Sequence, residues 1–248
     1  MDAEQLWQEI VAASDRQLGL VTAAQLGRLG VDAAALAELT RRTMLTRLDW
    51  DVFEVAGSRT PLRYAFPYAA WLELRRGTFA WERPGAGGTV AADAVVSHES
   101  AARVLGLHSP SGGNITFTAP EPLPSPRGVR VVVARLQPDE VSVHQHLPVT
   151  TAQRTILDLV LTYTDHLELR GVVSDAVRLD LVDLAALHRD LAPLAGEYAF
   201  PGEGPDFVAW FVPGLTADAL SPRNARALAT LLGERAAPHG GQHPGSAG

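Results

Sequence analysis

The chain has 248 residues, a formal net charge of −7 and 46% hydrophobic residues, which is typical of a globular protein of one or two domains. It contains no cysteine, which excludes disulfides, thiolate metal sites and a cysteine nucleophile. All 21 basic residues are arginine, so mechanisms that need a lysine are excluded as well. The negative charge also argues against a protein that coats nucleic acid without specificity.

The N-terminal sequence MDAEQLWQEI is acidic and amphipathic, unlike a signal peptide. No stretch approaches the roughly 18 apolar residues of a membrane-spanning helix. We therefore expect a cytoplasmic protein with no membrane partner. The negative charge is concentrated at the end of the chain, where residues 151–248 hold 7 arginines and 12 acids.

The start of the chain has the pattern of a helix-turn-helix. Apolar periodicity predicts three helices, over residues 2–16, 23–29 and 33–42. Thr22 and Gln25 have the spacing of a capping box, and Asp32 is the predicted cap of the third helix. Gly30 lies in the short turn between the second and third helices, as a helix-turn-helix requires.

Two short strands are predicted next, Leu45–Leu48 and Val52–Val55, with a polar turn between them. Three helices followed by this hairpin predict a winged helix over residues 1–60. In such a domain the third helix can enter a major groove while the hairpin, or wing, lies on the neighbouring backbone.

The rest of the chain mixes strands and helices. A short apolar strand leads into a helix that we expect Ser97 and Glu99 to cap, and strands are predicted over residues 114–147. Three further helices follow. The predicted fold class is α+β, with an N-terminal winged helix-turn-helix, a mixed α/β domain with a small sheet, and a C-terminal helical part. The predicted domains are residues 1–60, an α/β domain over 61–195, and an extension over 196–248 with a possible helix and a disordered tail.

Two N-terminal stretches, GLVTAAQLGRLGV and the wing ending in VFEVAG, are followed by AVVSHESAARVLGL, NITFTAPEP and LPVTTAQRTILDLV. In this order and spacing, these stretches resemble the AbiEi-type antitoxins. The resemblance covers about residues 1–195. It implies a winged-helix domain joined to a C-terminal antitoxin domain.

The resemblance also implies a function. Such an antitoxin is encoded beside a nucleotidyltransferase toxin in a type IV toxin–antitoxin system. Its winged helix binds inverted repeats in the promoter of its own operon, as paired monomers or as a homodimer, and its C-terminal domain neutralises the toxin. No cofactor is implied.

The candidate DNA-binding residues lie in the two helices of the helix-turn-helix and in the wing: Thr22, Gln25, Arg28, Ala33, Ala34, Arg41, Arg42 and Arg47. The arginines are candidates for phosphate contacts, whereas an alanine can touch a thymine methyl but cannot read a base by hydrogen bonds. A winged helix with a purely structural or protein-binding role is the alternative.

The candidate toxin-binding residues lie in the later helices. Arg154 and Asp158 are four residues apart, so they can form an ion pair that faces the toxin or, alternatively, anchors the helix to the strands before it. Glu168, Asp175 and Asp183 recur on predicted outward faces, as do Asp158 and Asp180. They predict an acidic surface complementary to a basic toxin; simple solvation is the alternative.

Motifs for catalysis or metal binding are incomplete. His98 and Glu99 begin an HExxH motif, but Ala102 stands where the second histidine is needed. His144 and His146 alternate on a predicted strand without a third ligand. We therefore expect no catalytic residue, no metal site and no enzyme activity. A nuclease-like enzyme and a winged-helix transcriptional regulator without a toxin are the alternatives.

Overall fold

The computed structural model describes residues 2–83, 93–108, 113–162 and 166–233 of the chain. It confirms the predicted α+β class, and it divides into two compact units, Met1–Leu159 and Val160–Gly248. The predicted boundaries at residues 60 and 195 stay a prediction. The tail predicted to be disordered, residues 235–248, lies outside the described residues.

The first unit begins with three helices and a small antiparallel sheet in the order of a winged helix. These elements, here called the N-terminal module, are α1 Ala3–Asp15, β1 Leu20–Thr22, α2 Ala23–Arg28, α3 Ala33–Arg41, β2 Leu45–Asp49 and β3 Val52–Val55. β3 lies between β1 and β2 and pairs with both in antiparallel fashion. Ile10, Leu26 and Phe53 are among the buried side chains of its core.

The predicted helix starts of this module are confirmed. The Asp2 carboxylate accepts a hydrogen bond from the backbone nitrogen of Gln5, which begins α1, and Asp32 caps α3 in the same way. Thr22 and Gln25 form the complete capping box of α2.

A five-stranded mixed sheet and the helices around it form the rest of the first unit. The helices are α4 Leu62–Leu74 and α5 His98–Leu105, and the strands are β4 Val95–Val96, β5 Ile115–Ala119, β6 Val129–Val133, β7 Val141–His144 and β8 Leu147–Thr150. The strand order is β6-β5-β4-β8-β7, with β4–β8 and β5–β6 parallel. The helix α6, Ala152–Thr162, follows β8.

The N-terminal module and the five-stranded sheet share one hydrophobic core. Leu20 of β1 and Val52 of β3 belong to the same buried cluster as Tyr68 and Leu72 of α4 and Phe117 of β5. Because this cluster is continuous, the N-terminal module is an integral part of the first unit.

The second unit is helical. It contains α7 His166–Arg178, α8 Leu184–Leu191, α9 Ala195–Tyr198, α10 Gly204–Phe211 and α11 Pro222–Gly233. The buried amide of Asn224 at the start of α11 accepts from the backbone nitrogen of Leu184 at 2.8 Å and donates to the carbonyl of Val182 at 2.9 Å. These bonds fix α11 to the start of α8.

Candidate functional site

The helix α3 stands where a winged helix carries its DNA-reading helix. Gly30, with a φ of +96°, makes the turn from α2, and the carboxylate of Asp32 accepts from the backbone nitrogen of Ala35 at 2.8 Å. None of the residues of α3 is fully buried, and Ala33 and Ala34 are exposed in its first turn. The outer face of α3 is therefore open along its length.

Two of the arginines predicted to contact DNA are held in exposed ion pairs. A guanidinium nitrogen of Arg41 lies 2.7 Å from Glu38, and this hydrogen bond lowers the pKa of the Glu38 carboxyl. Arg47 contacts Asp51 at 2.9 Å. Arg42 makes no ion pair with any residue in the described ranges, so its charge is not compensated by a direct partner.

The structure contradicts the prediction that Thr22 and Gln25 contact DNA. Both residues are completely buried. The hydroxyl of Thr22 donates to the carbonyl of Arg76, and the amide of Gln25 donates to the carbonyl of Thr78 at 2.8 Å. These side chains fasten α2 to the segment that follows α4, so they are not available to DNA in this fold.

Arg28 also attaches α2 to the segment that follows α4, so its guanidinium is not a free cation at the surface. Its guanidinium binds both carboxylate oxygens of Glu82, at 2.6 and 2.9 Å, and donates to the carbonyl of Gly77. It also lies 4.7 Å from the ring centre of Phe79. The hydrogen bond from Arg28 and a second one from the Phe79 backbone lower the pKa of Glu82 to about 2.

The wing is attached to the loop before β6. Trp50, at the tip of the wing, donates its indole N–H to the carbonyl of Arg127 at 2.9 Å, and the Arg127 guanidinium lies 3.1 Å from Asp49. The side chain of Arg127 is 81% exposed. Sequence reasoning missed this arginine because it is distant in the chain from the wing that it joins.

A buried polar cluster lies at the junction of β4 and α5. The Ser97 and Thr118 hydroxyls are 2.9 Å apart, and Ser97 also lies 2.9 Å from Nδ1 of His98. His98 has a φ of +54°, a conformation that side-chain-bearing residues rarely adopt. Burial lowers the pKa of the His98 imidazole.

Ser97 stands at the predicted start of α5, but its side chain acts elsewhere in this cluster. Ser97 occupies the N-cap position of α5, but its hydroxyl makes no capping hydrogen bond. Glu99 instead accepts from the hydroxyl of Thr116 at 2.9 Å. Both side chains therefore join α5 to β5 of the sheet.

Arg154 and Asp158 form the ion pair that their spacing predicts, at 2.8 Å. Arg154 also contacts Glu140 at 2.9 Å, and Asp158 is only 4% exposed. The prediction of an outward-facing Asp158 is therefore wrong, and the pair attaches α6 to the turn before β7. Burial raises the pKa of the Asp158 carboxyl, although Arg154 and His98 oppose this shift.

The acidic residues predicted on the later helices lie in the second unit. Glu168 and Asp175 on α7 are partly exposed. Asp183 is the N-cap of α8, where its carboxylate accepts from the backbone nitrogen of Ala186 at 2.9 Å. Asp180 is paired with Arg223 at 2.8 Å. Asp180 and Asp183 of the predicted acidic surface therefore make contacts that stabilise the helices of the second unit.

The two histidines that alternate in the sequence do not share a strand face. His144 ends β7, whereas His146 lies in the turn to β8 with a φ of +64°. Within the described residues there is no group of three or more histidine, aspartate or glutamate side chains that could hold a metal ion. No helix in those ranges is both long and apolar enough to cross a membrane.

Comparisons with known proteins show a likeness to solved structures but none to a family model or a curated protein. No family model matches the chain, and no curated protein matches it. The fold is similar to the crystal structure of RV2827C protein from Mycobacterium tuberculosis, at 18% sequence identity and a TM-score of 0.38. That likeness covers 92% of this chain and 76% of the other.

Proposed function

We propose that the chain is an autoregulating antitoxin of the AbiEi type, which binds its own promoter through α3 and neutralises a nucleotidyltransferase encoded beside it. The observation that supports DNA binding most directly is the open outer face of α3 after the tight turn at Gly30. The order of helices and strands in the N-terminal module fits this role. We propose that the protein acts by binding, without a catalytic step.

The charges around α3 support contact with phosphate rather than base reading. Arg42 is exposed at the end of the helix and has no ion-pair partner among the described residues. Arg41 can exchange Glu38 for a phosphate at little cost, because exposed ion pairs contribute only about 0–1 kcal/mol. The exposed methyl groups of Ala33 and Ala34 suit thymine methyl groups in the major groove.

The test measures binding to the promoter fragment by fluorescence anisotropy over a range of salt concentrations. Ala34→Glu places a negative charge on an exposed helical position, so we expect binding to weaken at least about tenfold without loss of stability. Arg42→Ala should lower the slope of log affinity against log salt by about one. Arg135→Ala, at an exposed arginine after β6, is the matched control.

Two copies on an inverted repeat would bind with a stoichiometry of two chains per duplex. If Ala34→Glu and Arg42→Ala both bind as the unchanged protein does, α3 is not the DNA-binding helix. The role of the module would then be structural.

Toxin neutralisation is proposed for the acidic surface of α7, with Glu168 and Asp175 as the tested residues. A nucleotidyltransferase that acts on RNA needs a basic surface near its substrate, which an acidic surface could cover. Asp183 is left unchanged because its replacement would remove the cap of α8 and confuse binding with folding. We expect Glu168→Arg with Asp175→Arg to slow association with the toxin, and Glu197→Arg, an exposed position on α9, to leave it unchanged.

Co-expression separates the two roles in the full chain. The Ala34→Glu variant should lose promoter binding yet still relieve the growth arrest caused by the neighbouring nucleotidyltransferase. If neither the variant nor the unchanged protein relieves arrest, the chain is a winged-helix regulator without a toxin.

A further inference from the structure

A small cavity opens beside the end of α4. It has a volume of about 370 Å³ and is lined by Glu73, Leu74, Arg76, Pro124, Ser125 and Pro126. This volume lies near the lower end of the roughly 300–1,000 Å³ of small-molecule sites. Leucine and the two prolines give it apolar walls, and neither the DNA-binding nor the toxin-binding proposal uses it.

The carboxylate of Glu73 is the unusual feature of this cavity. Its side chain is only 2% exposed, and Oε1 lies 2.7 Å from Nε of Arg76. The other oxygen, Oε2, is buried and has no hydrogen-bond partner among the described residues. A buried carboxylate oxygen without a donor is costly, so a ligand that brings a donor would be stabilised there.

The charges around Glu73 favour a cation as that donor. Arg76 is the direct ionic partner of Glu73, and its side chain is 62% exposed, so it can move aside. Burial raises the pKa of the Glu73 carboxyl, Arg76 opposes this shift, and the negative charge of Asp51 in the wing adds to it. When Arg76 moves aside, both carboxylate oxygens of Glu73 lose their donors, and a planar guanidinium presents two parallel N–H groups to such a pair of oxygens, which an ammonium cannot do.

We propose that this cavity binds an organic cation with a short alkyl stem, and that it prefers a guanidinium to an ammonium head group. The stem packs on Leu74, Pro124 and Pro126, and the head group donates to Glu73. The same chemistry is offered by a free alkylguanidine and by an arginine side chain of another polypeptide. The inference is independent of the proposed antitoxin role.

The test uses n-butylguanidinium as the probe and n-butylurea as a neutral molecule of nearly the same shape. Binding is followed through the amide chemical shifts of Leu74 and Ser125 in the full chain. We expect a millimolar Kd for the cation, as is reasonable for a ligand of this size, and at least about tenfold weaker binding of the urea. n-Butylammonium should fall between the two.

Variants assign the site to Glu73. Glu73→Gln keeps the shape of the side chain but removes its charge, and it should weaken n-butylguanidinium binding about tenfold, which equals about 1.4 kcal/mol. Arg76→Ala removes the competing cation and should strengthen binding. Glu38→Gln, which removes a glutamate paired with an arginine three residues later on α3, is the matched control and should change nothing.

An acetylated, amidated Gly-Arg-Gly peptide distinguishes the two sources of the cation. If it shifts the same amides, the site accepts an arginine side chain; if only the free cation does, the ligand is a small molecule. Equal binding of cation and urea, unchanged binding by Glu73→Gln, or loss of binding in Arg76→Ala would overturn the proposal. So would the absence of saturable shifts up to about 50 mM, well above the expected Kd.

Discussion

Gln17 and Gln25 face each other inside the first unit and exchange two side-chain hydrogen bonds, at 3.0 and 3.1 Å. Both residues are completely buried. Gln17 also accepts from the backbone nitrogen of Ala80, and Gln25 donates to the carbonyl of Thr78. This pair of amides therefore joins α2 and the turn after α1 to the segment after α4.

Replacing Gln25 should destabilise the protein. Gln25→Ala removes the acceptor of one side-chain N–H of Gln17 and of the backbone nitrogen of Thr22, both buried, so we expect a loss of about 2–4 kcal/mol in the free energy of unfolding. Urea unfolding followed by circular dichroism measures it. Gln8→Ala, at an exposed position on α1, should change stability by less than about 0.5 kcal/mol. Equal small effects would mean that the amide pair contributes little.

The Arg28–Glu82 pair should make stability depend on acid pH. Hydrogen bonds, first that from Arg28, hold the folded pKa of Glu82 near 2, below its ordinary value of 4.5. Their stabilisation is therefore complete above about pH 4.5 and is lost as the pH falls towards 2. We expect the difference in urea midpoint between the unchanged protein and Glu82→Gln to be constant above pH 5 and to shrink below it.

An Arg28→Ala background is the control for this pH dependence. There, the change from Glu82 to glutamine should lose most of its pH-dependent effect, because the largest cause of the lowered pKa is gone. An undiminished dependence would assign the effect to other groups.

Arg83 and Asp93 form a buried ion pair, so each charge is the counterion that the other needs. Their side chains are 1% and 2% exposed, and the shortest contact between them is 2.6 Å. Arg83 also donates to the carbonyl of Trp71 and lies 3.7 Å from the centre of its ring. Asp93→Asn should lower the free energy of unfolding by about 3–5 kcal/mol, because it leaves a buried guanidinium without a counterion.

Asp49→Asn is the matched control, since it breaks the Asp49–Arg127 pair, whose arginine is 81% exposed. This substitution should lower the free energy of unfolding by less than about 1 kcal/mol. Chemical denaturation of both variants measures the contrast, and similar losses would show that burial does not set the strength of the Arg83–Asp93 pair.

The sequence predicted the helices of the N-terminal module because their signals are local. The carboxylate of Asp32 and the capping box of Thr22 and Gln25 act within three residues, so spacing alone identifies them. The same residues misled the prediction of the site. Their tertiary partners at Arg76 and Thr78 lie more than fifty residues away, and no local pattern reports them.

The sequence did not predict β1 or the turn that separates β7 from β8, and the physical reasons differ. β1 has only three residues, all buried, so it shows no alternation of polar and apolar side chains. The β7–β8 hairpin turns at Gln145 and His146, which have φ values of +50° and +64°. Neither is the glycine or asparagine that usually marks such a turn, so the stretch is typical of one continuous strand.

The hydroxyl of Tyr68 is buried in the core of the first unit and has no hydrogen-bond partner among the described residues. Burial raises the pKa of this phenol. The folded protein therefore keeps the proton above pH 10, where the unfolded chain releases it, so stability falls by about 1.4 kcal/mol per pH unit above the unfolded pKa of about 10.

Tyr68→Phe removes both the unsatisfied hydroxyl and this titration. At pH 7 the variant should be as stable as the unchanged protein or more stable by about 1 kcal/mol, since it no longer buries an unpaired polar group. Between pH 9 and 11 its advantage in the free energy of unfolding should grow. A variant that is less stable by more than about 1 kcal/mol at pH 7 would show that the hydroxyl has a partner, and a constant difference up to pH 11 would show that the phenol ionises equally in both states.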